Sequence, residues 1–109
     1  MAESTTETPV RDLLANMTAE SIAASGLDPE TLMLVRIAAL VAVDAPPVSY
    51  MLNLGAASRV GIDAEQVRDV LAAIAPIVGT ARVASATGSI VKALAIEIAI
   101  AEDEEQTQD

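Results

Sequence analysis

The stretch from Leu32 to Val43 reads Leu-Met-Leu-Val-Arg-Ile-Ala-Ala-Leu-Val-Ala-Val, with Arg36 as its one polar residue. A helix of this sequence is apolar nearly all round, so it has to be enclosed by neighbouring helices or by partner chains. Its boundaries are written in the flanking residues. Asp28 is a capping type, Pro29 suits a first helical position, and Glu30 carries a favourable first-turn charge. Ala45-Pro46-Pro47 ends it, because a residue before proline is pushed away from helical dihedrals. Strand propensity competes at Leu40-Val41, but alanine content and segment length favour a helix. The uninterrupted apolar run, Ile37 to Val43 between Arg36 and Asp44, is far too short to cross a bilayer.

The remaining chain extends this into an all-α expectation. Residues 1–9 read as a disordered acidic arm, residues 10–101 as a single helical domain, and residues 102–109 as an acidic tail. Val10 to Met17 forms a short helix, Thr18 offers a fresh cap, and the next segment closes near Gly26. After Pro46-Pro47 a helix carries Tyr50, Leu54, Ala57 and Val60 on its apolar side and ends at Gly61. Asp63 and Gln66 have the spacing of a capping box. Val67, Val70, Leu71, Ile74 and Val78 then recur at helical spacing, Pro76 bends the end, and Gly79 finishes it. Thr80 can cap the last helix, whose Val83, Thr87, Ile90, Val91, Leu94 and Ile98 share one sector. Ile96 and Ile100 fall opposite, and the alternation from Leu94 to Ile100 leaves a strand open as the minor reading. Gly88, inside this helix, points to close packing or a bend.

Composition limits the chemistry. One small domain is expected from 109 residues, yet 52% of them are apolar and the only aromatic is Tyr50. Small aliphatic side chains favour close helix–helix contact, and more apolar faces than one core can use point to self-association. The formal charge of -10 opposes nucleic acid and anionic lipid as partners. No cysteine is present, so disulfides, thiolate catalysis and cysteine-based metal sites are excluded. No histidine is present either, which removes the commonest near-neutral base and metal ligand. Asp44, Asp63 and Glu65 make no convincing metal set, and Gly55, Gly61, Gly79 and Gly88 lack the spacing of a phosphate loop, so no metal or cofactor is expected. The acidic, polar start is unlike a signal peptide, and a soluble cytoplasmic protein is the expectation.

Several segments together carry a resemblance. Leu27-Asp28-Pro29-Glu30-Thr31, Arg36 to Ala42, Gly55-Ala56-Ala57 to Gly61, Glu65-Gln66-Val67 and Ala75 to Arg82 resemble the carboxymuconolactone decarboxylase-like family, which includes the AhpD-like alkylhydroperoxidase proteins. The similarity covers about residues 27–95 and rests on helix boundaries and glycine spacing. It implies an all-helical fold assembled as a homotrimer or homohexamer, with sites enclosed by several subunits. The redox branch of the family carries a Cys-x-x-Cys pair and a histidine on the helix leading to the glycine matched by Gly61, and a glutamate in the preceding helix. Aligned through Gly61, the cysteine places fall near Pro46 and Ser49, the histidine place on Asn53, and the glutamate place near Met33 or Leu34. None of these roles carries over. Serine cannot cycle between thiol and disulfide, and asparagine cannot shuttle a proton near neutrality.

Candidate site residues follow. Asp44, Ser49, Tyr50 and Asn53 cluster around the diproline turn, with Ser49 and Asn53 on one helix face. They either orient a small polar or carboxylated molecule in a pocket, with Asp44 as acid–base group, or satisfy local backbone and interface partners. Arg36 requires an interface acid, solvent, or an anionic ligand. Arg59 and Arg82 have the same anion-binding potential, and Arg82 sits against its own helix dipole, which calls for a tertiary partner. The leading expectation is a non-redox homo-oligomer serving ligand binding or assembly. The alternatives are a cofactor-free decarboxylase, lyase or isomerase acting on a small carboxylated or lactone substrate, and a helical module for another protein.

Overall fold

The computed structural model describes residues 8–108, with side chains as far as residue 95. Of the arm expected at residues 1–9, residues 1–7 lie outside the described residues while Thr8 and Pro9 open the first helix, and the side chains of the acidic tail also lie outside them. Among the described residues there are five helices and no strand: α1 (Thr8–Ala24), α2 (Pro29–Ala42), α3 (Pro47–Arg59), α4 (Ala64–Val78) and α5 (Thr80–Gln108). The fold is all-α, and the segment from Leu94 to Ile100 continues α5 rather than forming a strand.

Helix α2 is the centre, packed against α3, α4 and α5. Leu32, Met33, Ile37 and Val41 are buried along one side of it. Its other side is open in the single chain, with Val35 and Val43 exposed. The enclosure its sequence calls for is therefore half met. One core cluster joins the start of α2 to the end of α3 and start of α4, through Ile37, Ala57, Ile62 and Val67. The other joins the end of α2 to α3 and α5 around Val41, Tyr50, Ala86 and Ala93.

Two chain reversals use the same device. After α2, the Asp44 N–H donates to Val41 O and the Ala45 N–H to Leu40 O. After α3, the Gly61 N–H donates to Ser58 O and the Ile62 N–H to Ala57 O. Both are Schellman closures, which demand a left-handed residue followed by an apolar one that packs back. Gly61 takes φ 93 without penalty, whereas Asp44 takes φ 55 with a side chain attached. Ala45 and Ile62, the residues that follow, are both buried.

The capping box holds. Gln66 N–H donates to Asp63 Oδ1 at 2.9 Å, and Asp63 N–H donates to Gln66 Oε1 at 3.1 Å. Gln66 Nε2 then donates to Glu30 Oε1 at 2.7 Å, joining the starts of α4 and α2. Asp28 occupies the cap position of α2, but its side chain makes no cap hydrogen bond.

Four expectations change. Thr18 opens no new helix, and α1 runs through it without a break. Thr80 is the first residue of α5 rather than its cap, and the Gly79 carbonyl accepts from Val83 N–H. Helix α5 buries Ala86 and Ala93 and leaves Val91 and Leu94 exposed, because small side chains let α3 approach closely while the larger ones do not fit between the axes. Gly88 has open space where a Cβ would stand, so close packing does not explain it.

Candidate functional site

The diproline turn places Asp44, Ser49, Tyr50 and Asn53 close in sequence, but the hydrogen bonds of Asp44 and Asn53 do not join these side chains to one another. Asp44 is exposed, and the Ser85 hydroxyl on α5 donates to its Oδ1 at 2.6 Å. Asn53 Nδ2 donates to the Ser49 carbonyl one turn back, at 2.9 Å. The amide is thus spent on its own helix, as short polar side chains often are. Tyr50 has no exposed surface, and its hydroxyl finds no hydrogen-bond partner. Burial, with a further contribution from the Asp44 charge, pushes the phenol's pKa above its usual value. An uncharged phenol is what this site holds near neutrality.

The three arginines also have individual placements. Arg36 Nη2 donates to Ser21 Oγ at 3.0 Å and to the Thr18 carbonyl at 3.5 Å, both on α1. Its partner is therefore a neutral pair of oxygens in its own chain. Arg82 Nη1 donates to the Ala42 carbonyl at 2.6 Å. That contact places a cation on the carbonyl end of α2, where the helix dipole favours it, and resolves the conflict of Arg82 with its own helix. Ser85 and Arg82, one turn apart on α5, both close the end of α2. Arg59 is exposed in the last turn of α3, which suits a cation.

A concavity lies elsewhere. A partly open cleft of about 330 Å³ runs between α3, the start of α4, and α5. Leu54, Ala57, Ile62, Val67, Ile90 and Leu94 form its walls, with Ser58 and Asp63 at its polar edge. Its size reaches the lower range for small-molecule pockets, but its walls are almost wholly aliphatic. Asp63 already accepts from Gln66 in the capping box. None of Asp44, Ser49, Tyr50, Asn53, Arg36, Arg59 and Arg82 lines it. Sequence reasoning named most of these walls only as core positions. Its one usable signal was the Gly61-Ile62-Asp63 order, which turns the chain, packs an aliphatic side chain behind the turn, and starts α4 beside it.

Among the described residues no group of acidic side chains could hold a metal ion. No helix among them is long and apolar enough to cross a membrane. Comparisons with curated proteins and with solved structures returned no match. The family model described as "Carboxymuconolactone decarboxylase family" matches residues 9–91, most of the chain and all of α2, α3 and α4. With its helical order, its Gly61 turn and no cysteine for thiol chemistry, this chain belongs to the carboxymuconolactone decarboxylase family as a divergent member.

Proposed function

We propose that this chain is a self-associating helical scaffold of its family, working through its apolar surfaces rather than by turnover. The observation that carries the reading is α1. Val10, Leu13, Leu14, Met17 and Ile22 are each between 53% and 62% exposed, and no residue of that helix is buried. A 17-residue helix is marginal alone in water and gains stability by covering an apolar stripe. Large exposed apolar surface on a small chain marks an association site.

The polar groups support the same reading. General acid–base work requires a group that titrates near the working pH and faces bound substrate. Asp44 faces solvent and Ser85, the Tyr50 phenol is held neutral, and Asn53 is tied to its own helix. The cleft between α3, α4 and α5 is lined almost wholly by hydrocarbon. Cysteine-dependent peroxidase and disulfide reductase activity are excluded outright for these residues.

Sedimentation of the purified chain over a concentration series tests the proposal. The expected species is a multiple of 11.2 kDa that dissociates on dilution. A monomer at every concentration overturns it. Release of carbon dioxide from a small carboxylated lactone, abolished by Asp44→Asn, would overturn the non-catalytic part.

A further inference from the structure

We infer that the α3–α4–α5 cleft is a receptor for helix α1 of a second copy of this chain, each copy giving one helix and receiving one. The inference deepens the proposal of self-association and rests on it. The cleft is concave and aliphatic, walled by Leu54, Ile62, Val67, Ile90 and Leu94. Helix α1 supplies the convex counterpart, because Val10, Leu13, Leu14 and Met17 follow the i, i+3, i+4, i+7 spacing and form one stripe. About 330 Å³ has room for two or three leucine-sized side chains, given that a cavity of about 150 Å³ takes one benzene.

The chain does not fill its own cleft with α1. Arg36 holds the Thr18 carbonyl and Ser21 hydroxyl beside α2, and in that position the stripe from Val10 to Met17 buries no residue. Only Ser25 to Asp28 separate the two helices, which limits how far α1 can swing.

Area singles out reciprocal exchange. The stripe from Val10 to Met17 takes up about 12 Å of a helix about 10 Å across, so one stripe laid on one cleft wall covers roughly a quarter of the ~1,000 Å² that a stable specific interface needs. Two stripes on two clefts double that area within one interface, which requires a two-fold pair, and the sum suits a weak pair that dissociates on dilution. A free apolar peptide or a small ligand would cover the cleft while leaving α1 exposed. A second copy covers both, and the same pair can serve as the repeating unit of a hexamer.

The absence of native cysteine makes the test clean. Leu13→Cys, Leu14→Cys and Met17→Cys are each mixed with Leu94→Cys and oxidised, with Ile77→Cys as control partner. Leu94 is 42% exposed and Ile77 is 86% exposed, so neither change empties the core. The expected result is intermolecular disulfides between the α1 positions and position 94, identified by peptide mass, with few to position 77. Leu13→Glu with Leu14→Glu, which keeps good helix formers in an exposed helix, is expected to weaken association at least ~10-fold while leaving the Tyr50 emission from the core unchanged. Association that ignores this double change, or cross-links only between α1 and α1, overturns the inference while self-association stands. A monomer at all concentrations overturns both.

Discussion

Tyr50 is a buried hydroxyl that adds a hydrogen-bonding demand without meeting it. An unpaired buried polar group costs about 1–3 kcal/mol, so Tyr50→Phe is expected to leave the urea midpoint unchanged or raise it. The pH dependence has a defined sign. The folded pKa is raised above the unfolded value near 10, so the stabilising difference is intact below that pH and is lost as pH climbs through the folded pKa. Stability should therefore fall in the alkaline range above about pH 10, and Tyr50→Phe should flatten that fall in pH-dependent urea melts. Asp44 makes a different residue-scale case, since its left-handed backbone is tolerated by acid or amide side chains and by glycine. Asp44→Val is expected to lower stability by about 1–3 kcal/mol, and Asp44→Gly to change it little, because relief of strain offsets the lost Ser85 contact. Thermal melts of the two variants distinguish this from a role for the carboxylate alone.

Among the elements, α2 and α5 depend on each other most visibly. Arg82→Met removes the cation from the Ala42 carbonyl and should cost about 1 kcal/mol, more than the same change at Arg59, which complements only its own helix end. Denaturant titration of both variants checks the order. Most element boundaries were legible because they depend on local chemistry: Asp28-Pro29, Pro46-Pro47, the Asp63/Gln66 box and Gly79 each act over a few residues. The orientation of α5 was not legible from the size of its aliphatic residues. Alanine spacing decides how near two axes come, and that depends on which neighbour is present. The candidate site was read from polar residues near a turn, whereas Asp44 and Arg82 turn out to close the end of α2. Their partners lie about 40 residues away in sequence, at Ser85 and Ala42, and no local pattern announces such pairings.

For the whole molecule, the radius of gyration of 15.8 Å exceeds the ~13 Å expected of a compact domain this long. The excess agrees with a protruding α1 and a 29-residue α5. Copies that meet carry a charge of -10 each and repel. Since the screening length falls from about 30 Å at 0.01 M salt to about 8 Å at 0.15 M, added sodium chloride should tighten association. Sedimentation at the two ionic strengths checks this, and tighter association at low salt would identify interfacial ion pairs as its source instead. The locked phenol also has a practical consequence. As the only aromatic ring in the chain, Tyr50 is a fluorophore with no background, and it watches the packing of α2, α3, α4 and α5 but not α1. Ellipticity, by contrast, sums over every turn of helix, α1 included. Unfolding curves from the two signals should therefore separate in dilute solution, with ellipticity lost first, and merge as concentration rises and α1 finds cover.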